Sequence, residues 1–94
     1  MIELTDANFS EEVLDKGGKV VVDCWATWCG KCKMVKPIFV ELESKKPEYK
    51  FCSLDIDKAP NATTSLQVGN LPTFIVFENS KEIKRGGVEV LNSL

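Results

Sequence analysis

The period of the hydrophobic residues changes abruptly in the first third of the chain, and that change restricts the fold more than any other feature. Val20-Val21-Val22 opens an apolar run that does not alternate and that reaches Trp25, interrupted only by Asp23. Such a run suits a strand covered on both faces by other elements. From Cys29 onward the pattern is helical. Val35, Ile38, Phe39 and Leu42 fall at i, i+3, i+4 and i+7, making one apolar face and leaving Lys33, Lys36 and Glu43 on the wet side. Two cysteines, Cys29 and Cys32, stand at the changeover itself. Pro37 lies inside the helix and should kink it, because its ring removes a hydrogen bond and crowds the preceding turn.

The rest of the chain alternates strands and helices around this unit. Ile2–Leu4 reads as a short strand, and Asn8 or Asp6 can cap a brief helix carrying Phe9, Val13 and Leu14 that stops at Gly17-Gly18. Lys46-Pro47-Glu48 ends the long helix. Residues 51–56 alternate, with Cys52, Leu54 and Ile56 facing one way and Phe51, Ser53 and Asp55 the other. Asn61 can cap a short helix through Leu66, and Gly69-Asn70 turns the chain. Residues 73–77 form another buried strand, and Asn79-Ser80-Lys81 makes a hairpin turn into 82–85. Gly86-Gly87 precedes a last helical segment, 88–94. The order βαβαβαββα predicts an α/β sandwich, and 94 residues leave room for a single domain, 1–94.

Charge narrows the partners. Twelve basic and 14 acidic residues are intermixed for a net charge of −2, which gives no electrostatic reason to expect nucleic acid or an anionic membrane. No basic stretch followed by an apolar one opens the chain, and no apolar run approaches the roughly 20 residues that span a bilayer. The expected location is the cytoplasm. In such a reducing compartment the four cysteines (24, 29, 32 and 52) are poor candidates for two structural disulfides, which leaves a metal site or a redox pair.

The placement of Cys29 and Cys32 favours the redox pair. A sulfur where the strand ends and the helix begins lies among unpaired backbone N–H groups, at the positive end of the helix dipole. Both favour the thiolate, which is the attacking species. Cys32, one turn on, can resolve a mixed disulfide formed by Cys29. Asp23 follows three valines in a strand that should be buried. An acid there is costly, and burial should raise its pKa towards neutrality; otherwise it sits at a sheet end and reaches solvent. Cys24 and Cys52 read as small buried side chains in adjacent strands, and Trp25 as structural.

The segment Val22-Asp23-Cys24-Trp25-Ala26-Thr27-Trp28-Cys29-Gly30-Lys31-Cys32-Lys33 resembles the active-site segment of thioredoxins. Pro37 lies where that family kinks its second helix, and Leu71-Pro72-Thr73 resembles its cis-proline loop. The likeness covers almost the whole chain. It implies a thioredoxin fold, a central mixed sheet flanked by helices, acting as a thiol–disulfide oxidoreductase through the Cys29/Cys32 couple. No cofactor is implied beyond that disulfide. Pro72 would be cis and lie against the two sulfurs, leaving backbone free to pair with an extended substrate. Asp23 would serve Cys32 as general acid and base through water. Trp28 would form an apolar lip, with Gly30, Val68, Leu71 and Thr73 as the remaining substrate contacts. Protein disulfides would be the substrates, a thioredoxin reductase-like flavoprotein the electron donor, and the protein a monomer.

Three departures from the family pattern carry consequences. Gly30-Lys31 replaces the usual Gly-Pro between the cysteines; lysine restores a backbone N–H and adds a positive charge, both stabilising the Cys29 thiolate. Ser53 stands where many members carry a lysine facing the buried aspartate, so Asp23 should lack an ammonium partner and its pKa should rise further. Only seven residues follow Gly86-Gly87, so the closing helix is short, and Val88, Leu91 and Leu94 must cover that side of the sheet.

Other readings remain open from sequence alone. Gly86-Gly87 followed by Glu89 and Leu91 has a weak likeness to the helix start where glutaredoxins hold a glutathione carboxylate, which would mean a low-molecular-weight thiol as partner. Cys24, Cys29 and Cys32 follow the C-x₄-C-x₂-C spacing of plant-type iron–sulfur proteins, with Cys52 as a fourth ligand. A non-catalytic scaffold role is the third.

Overall fold

The structure is a computed structural model and describes residues 1–94. β2 (Lys19–Trp25) lies at the centre of a five-stranded sheet, as its unbroken apolar run requires. β3 (Tyr49–Asp55) pairs with it in parallel and β4 (Thr73–Glu78) antiparallel. β1 (Ile2–Leu4) adds in parallel to β3, and β5 (Lys81–Gly86) antiparallel to β4, giving the order β1-β3-β2-β4-β5.

Both faces of the sheet are covered, and the alternation along β2 assigns its side chains. Val20, Val22 and Cys24 join Leu4, Val13, Leu54, Leu66 and Ile75 on one side. That side is covered by a π-helical segment, Ser10–Asp15, and by α2 (Pro60–Leu66). Val21 joins Phe39, Phe51, Phe74, Val90 and Leu91 on the other, beneath α1 (Gly30–Lys45) and a 3₁₀ segment, Val88–Ser93. Phe39 anchors α1, with its ring centroid 5.1 Å from that of Phe51 and 5.6 Å from that of Phe74. Successive strand residues face opposite ways, so Asp23 shares the α1 side with Val21.

Several local expectations are corrected. Ile38 is 43% exposed, so the apolar face of α1 narrows to Val35, Phe39 and Leu42. In the closing segment Val90, not Val88, is buried beside Leu91. Val90 N donates to Gly87 O across the turn, and the Val90 side chain packs against the bare Cα of Gly86, where a larger residue would exclude it.

The caps also differ. The first helical segment is led in by Thr5, whose Oγ1 accepts from the N–H groups of Ala7 and Asn8, while Asn8 Oδ1 accepts from Thr5 N. Asp6 instead crosses to α2. Its carboxylate accepts from Asn61 N at 3.3 Å and Ala62 N at 2.9 Å, so Asp6 supplies the cap expected of Asn61, and Pro60 occupies the first turn. Asp6→Ala should therefore lower stability by about 1 kcal/mol; urea unfolding midpoints of the two proteins check this.

The hairpin between β4 and β5 turns on Asn79 and Ser80 alone, at φ 50° and 73°. Two successive left-handed residues match the twist of the flanking strands.

Candidate active site

Cys29 is the N-cap of α1, in extended conformation at φ −91° and ψ 106°, and its Sγ accepts a hydrogen bond from Cys32 N at 3.1 Å. The strand end brings it there: Cys29 N donates to Ala26 O across the turn that joins β2 to α1. Cys29 and Cys32 are joined in a disulfide, with Cα atoms 5.3 Å apart. Neither is fully hidden, at 7% and 3% exposed, and with Ala26 they form a small cluster packed by Trp25, Ile56 and Leu71. The Leu71-Pro72 bond is cis. Thr73 Oγ1 donates to Asn70 O, tying the loop to the start of β4.

Asp23 is 1% exposed, yet it does have a cation beside it. Lys36, expected on the wet side of α1, places Nζ 3.4 Å from Asp23 Oδ2 and 3.3 Å from Ser53 Oγ. The expectation of an unaccompanied aspartate is thus corrected. The short Ser53 side chain, directly opposite Asp23 in the β2–β3 register, leaves space into which the lysine reaches from the helix. Burial still dominates and holds the Asp23 pKa above the ordinary carboxylate value; Lys36 draws it back in part. Helical periodicity alone could not have found Lys36, because a lysine stem can lie on apolar surface while its head reaches a buried partner.

A cleft of about 360 Å³ beside the disulfide is lined by Lys31, Met34, Val35, Leu71, Pro72, Gly87 and Val88. Trp28, 67% exposed, stands over the turn with its Nε1 donating to Asp57 Oδ2 at 2.9 Å. Gly30 is exposed with open space at its Cα. Val68 is half-buried and packs against the core on the α2 side rather than lining the cleft. Asp57 and Met34 were not singled out from sequence, because nothing in their local pattern marks them, and Val88 was expected against the sheet rather than in the cleft.

Two of the other readings lose their structural basis. Gly87 N donates to Glu89 Oε1 at 2.9 Å, so the chain's own carboxylate occupies the backbone donor proposed for glutathione. Cys24 and Cys52 are free and buried, and burial pushes both thiols up to about 12. No group of three or more His, Cys, Asp or Glu residues is placed to hold a metal ion.

A cysteine pair that closes at the head of a helix, in a fold with a cis-proline loop and a mixed sheet of this order, exchanges electrons through sulfur. The chain is a thiol–disulfide oxidoreductase. The family model described as thioredoxin matches residues 1–92, and the chain belongs to the thioredoxin family.

It is 40% identical over 85 residues to the thioredoxin of Mycobacterium bovis, covering 89% of this chain and 73% of that one. Against the thioredoxin of Rickettsia felis it is 37% identical over 93 residues, covering 97% and 89%. It is also 42% identical over 85 residues to the bifunctional thioredoxin reductase/thioredoxin of Mycobacterium leprae, of which it spans 19% of the length. A solved chain from work on thiol resolution of yeast mitochondrial 1-Cys peroxiredoxin by the glutathione and thioredoxin systems superposes with a TM-score of 0.85. The two are 29% identical, with 92% of this chain and 81% of that one covered. No helix is long and apolar enough to cross a membrane.

Proposed function

We propose that this protein reduces protein disulfides as a single domain and a monomer in the cytoplasm, needing no cofactor beyond its own cysteine pair. The observation that carries this reading is the hydrogen bond from Cys32 N to Cys29 Sγ at the head of α1. The same donor and the helix dipole stabilise a thiolate there once the disulfide opens. The Cys29 thiolate attacks one sulfur of a substrate disulfide, a mixed disulfide forms, and the other substrate sulfur leaves as thiolate and takes a proton. Cys32 then gives its proton to Asp23 and attacks Cys29 Sγ. The second substrate sulfur leaves with the electron pair, and Cys29 and Cys32 end joined.

Leu71, Pro72 and Lys31 are among the residues that line the cleft, which suits an extended segment laid across the sulfurs with Trp28 as an apolar lip. Gly30 and Thr73 complete the proposed contacts, with Val68 supporting from the core rather than touching substrate. A flavoprotein of the thioredoxin reductase class is the proposed electron donor; the fusion of the two activities in the Mycobacterium leprae relative supports it. The test supplies the oxidised protein with NADPH and such a reductase, or with glutathione alone. Rapid reduction in the first mixture and slow reduction in the second is expected. The reverse order overturns the proposal.

Lys31 tunes the couple. Its N–H and its charge both favour the Cys29 thiolate and so the reduced form, which makes the protein a weaker reductant than thioredoxins at about −270 mV. Lys31→Pro should lower the potential. Equilibration of both proteins against glutathione checks this, and a wild-type value as low as about −270 mV contradicts it.

A further inference from the structure

Lys36 lies in an unusual position for a charged residue of a surface helix. Its Nζ sits 5.1 Å from the centroid of the Trp25 ring and 6.0 Å from that of Phe39. From there it reaches Asp23 Oδ2 and Ser53 Oγ together. Ser53 Oγ also accepts from Trp25 Nε1 at 2.7 Å, so hydroxyl, indole, ammonium and carboxylate form one connected group. The lysine side chain is 33% exposed and the aspartate 1%.

The carboxylate is held on one oxygen only. Asp23 Oδ1 is buried with no hydrogen-bond partner, which is rare for a polar atom and rarer for a charged one. The two oxygens are therefore inequivalent. A proton on Oδ2 would face the Lys36 cation, whereas a proton on Oδ1 meets no positive charge.

We propose that Lys36 is the positioning residue for Asp23: it anchors Oδ2, so that Oδ1 is the atom that takes the proton from Cys32 and later returns it. This rests on the acid–base role given to Asp23 above. In the resolving step the Cys32 S–H proton passes to Oδ1, directly or through one water. The new thiolate forms the bond to Cys29 Sγ, and the substrate sulfur departs with the electrons of the broken bond. Reopening of the disulfide runs the transfer backwards.

The surroundings leave Lys36 as the controlling charge. The residue facing Asp23 from β3 is the uncharged Ser53, with Asp55 two positions on opposite Trp25; from β4 it is Phe74. On β2 itself the neighbour is the Cys24 thiol, pushed up to about 12 and so neutral. Lys36 from α1 is the one cation at hydrogen-bonding distance.

The experiment follows the rate of insulin-disulfide reduction over about pH 5 to 10, together with a ¹³C titration of the Asp23 carboxyl. Lys36→Met keeps the apolar stem over Trp25, and Lys36→Gln is a second uncharged variant. In both, the limb that rises with pH and the Asp23 titration should move to higher pH by about one unit, discounted for the partly exposed lysine. Lys36→Arg should restore the original profile. So should Lys36→Met combined with Ser53→Lys, which brings an ammonium to the same carboxylate from the strand side. Asp23→Asn should remove the limb. If it does so while the limb stays in place in Lys36→Met and Lys36→Gln, Lys36 has no part in positioning, though Asp23 keeps its role. A limb that survives Asp23→Asn unchanged overturns the role of Asp23, and that of Lys36 with it.

Discussion

Cys29→Ser should reduce insulin-disulfide turnover to the uncatalysed background, while Cys32→Ser should leave a protein that forms one bond and cannot release it. The difference follows from position. Cys29 is the N-cap of α1, with the Cys32 N–H aimed at its sulfur, so the proposed order gives the stabilised thiolate and the first attack to Cys29. Serine there offers a hydroxyl that does not ionise near neutral pH and cannot form the mixed disulfide. With Cys32 replaced, the first attack proceeds and no neighbouring thiol follows. A covalent adduct with substrate should then accumulate, visible on a non-reducing gel and dispersed by dithiothreitol. Cys24→Ala with Cys52→Ala should leave turnover intact, since both thiols are buried and held protonated near neutral pH. Turnover by Cys29→Ser within tenfold of the unaltered protein, or an adduct formed by Cys29→Ser in place of Cys32→Ser, would contradict the assigned order.

Asp23→Asn should make the protein more stable and less active at once. The carboxyl is buried, one oxygen lacks any partner, and its pKa is raised above the ordinary 3.8 by burial, with Lys36 offsetting only part. The folded protein therefore holds a proton that the unfolded chain has already released. Stability is greatest below the unfolded value and declines as pH rises from there through the raised folded value. The asparagine variant carries no such charge. Its advantage should be absent near pH 3, roughly where both forms are neutral, and should level off above the folded pKa at about 2 kcal/mol. Urea denaturation of both proteins across this range measures it. An advantage that is constant with pH, or largest in acid, would mean that Asp23 is not buried as a strained carboxylate. Reduction of insulin by the same variant should slow above neutrality, where Cys32 depends on a base. This is the usual exchange of stability for function at an active site.

Most of the architecture was legible because it rests on period and on chain punctuation. The unalternating run at Val20-Val21-Val22 marked the central strand, the switch at Cys29 marked α1, and Asn79-Ser80-Lys81 marked the hairpin, all of which the structure contains, with Lys81 already in β5. The misassignments share a cause. Asp6 lies near the first helical segment in sequence, yet it caps α2, because β1 and the loop after it pack beside the start of that helix. Val90 replaced Val88 in the core because it packs where Gly86 of β5 has no side chain. A side chain's partner is set by which elements lie alongside, which local spacing does not record.

The sequence by itself determined the redox pair and its setting. Two cysteines three residues apart, at the junction of a buried strand and an amphipathic helix, place a sulfur at a helix N-terminus wherever that pattern folds, since backbone geometry alone puts it there. Only the tertiary structure decided what surrounds the buried acid. Ser53 suggested an aspartate without a cation, and the packing of α1 over β2 and β3 brought Lys36 to it instead. A long flexible side chain finds its partner through space, across whatever gap a smaller neighbour leaves, and that gap exists only after the helix has docked on the sheet.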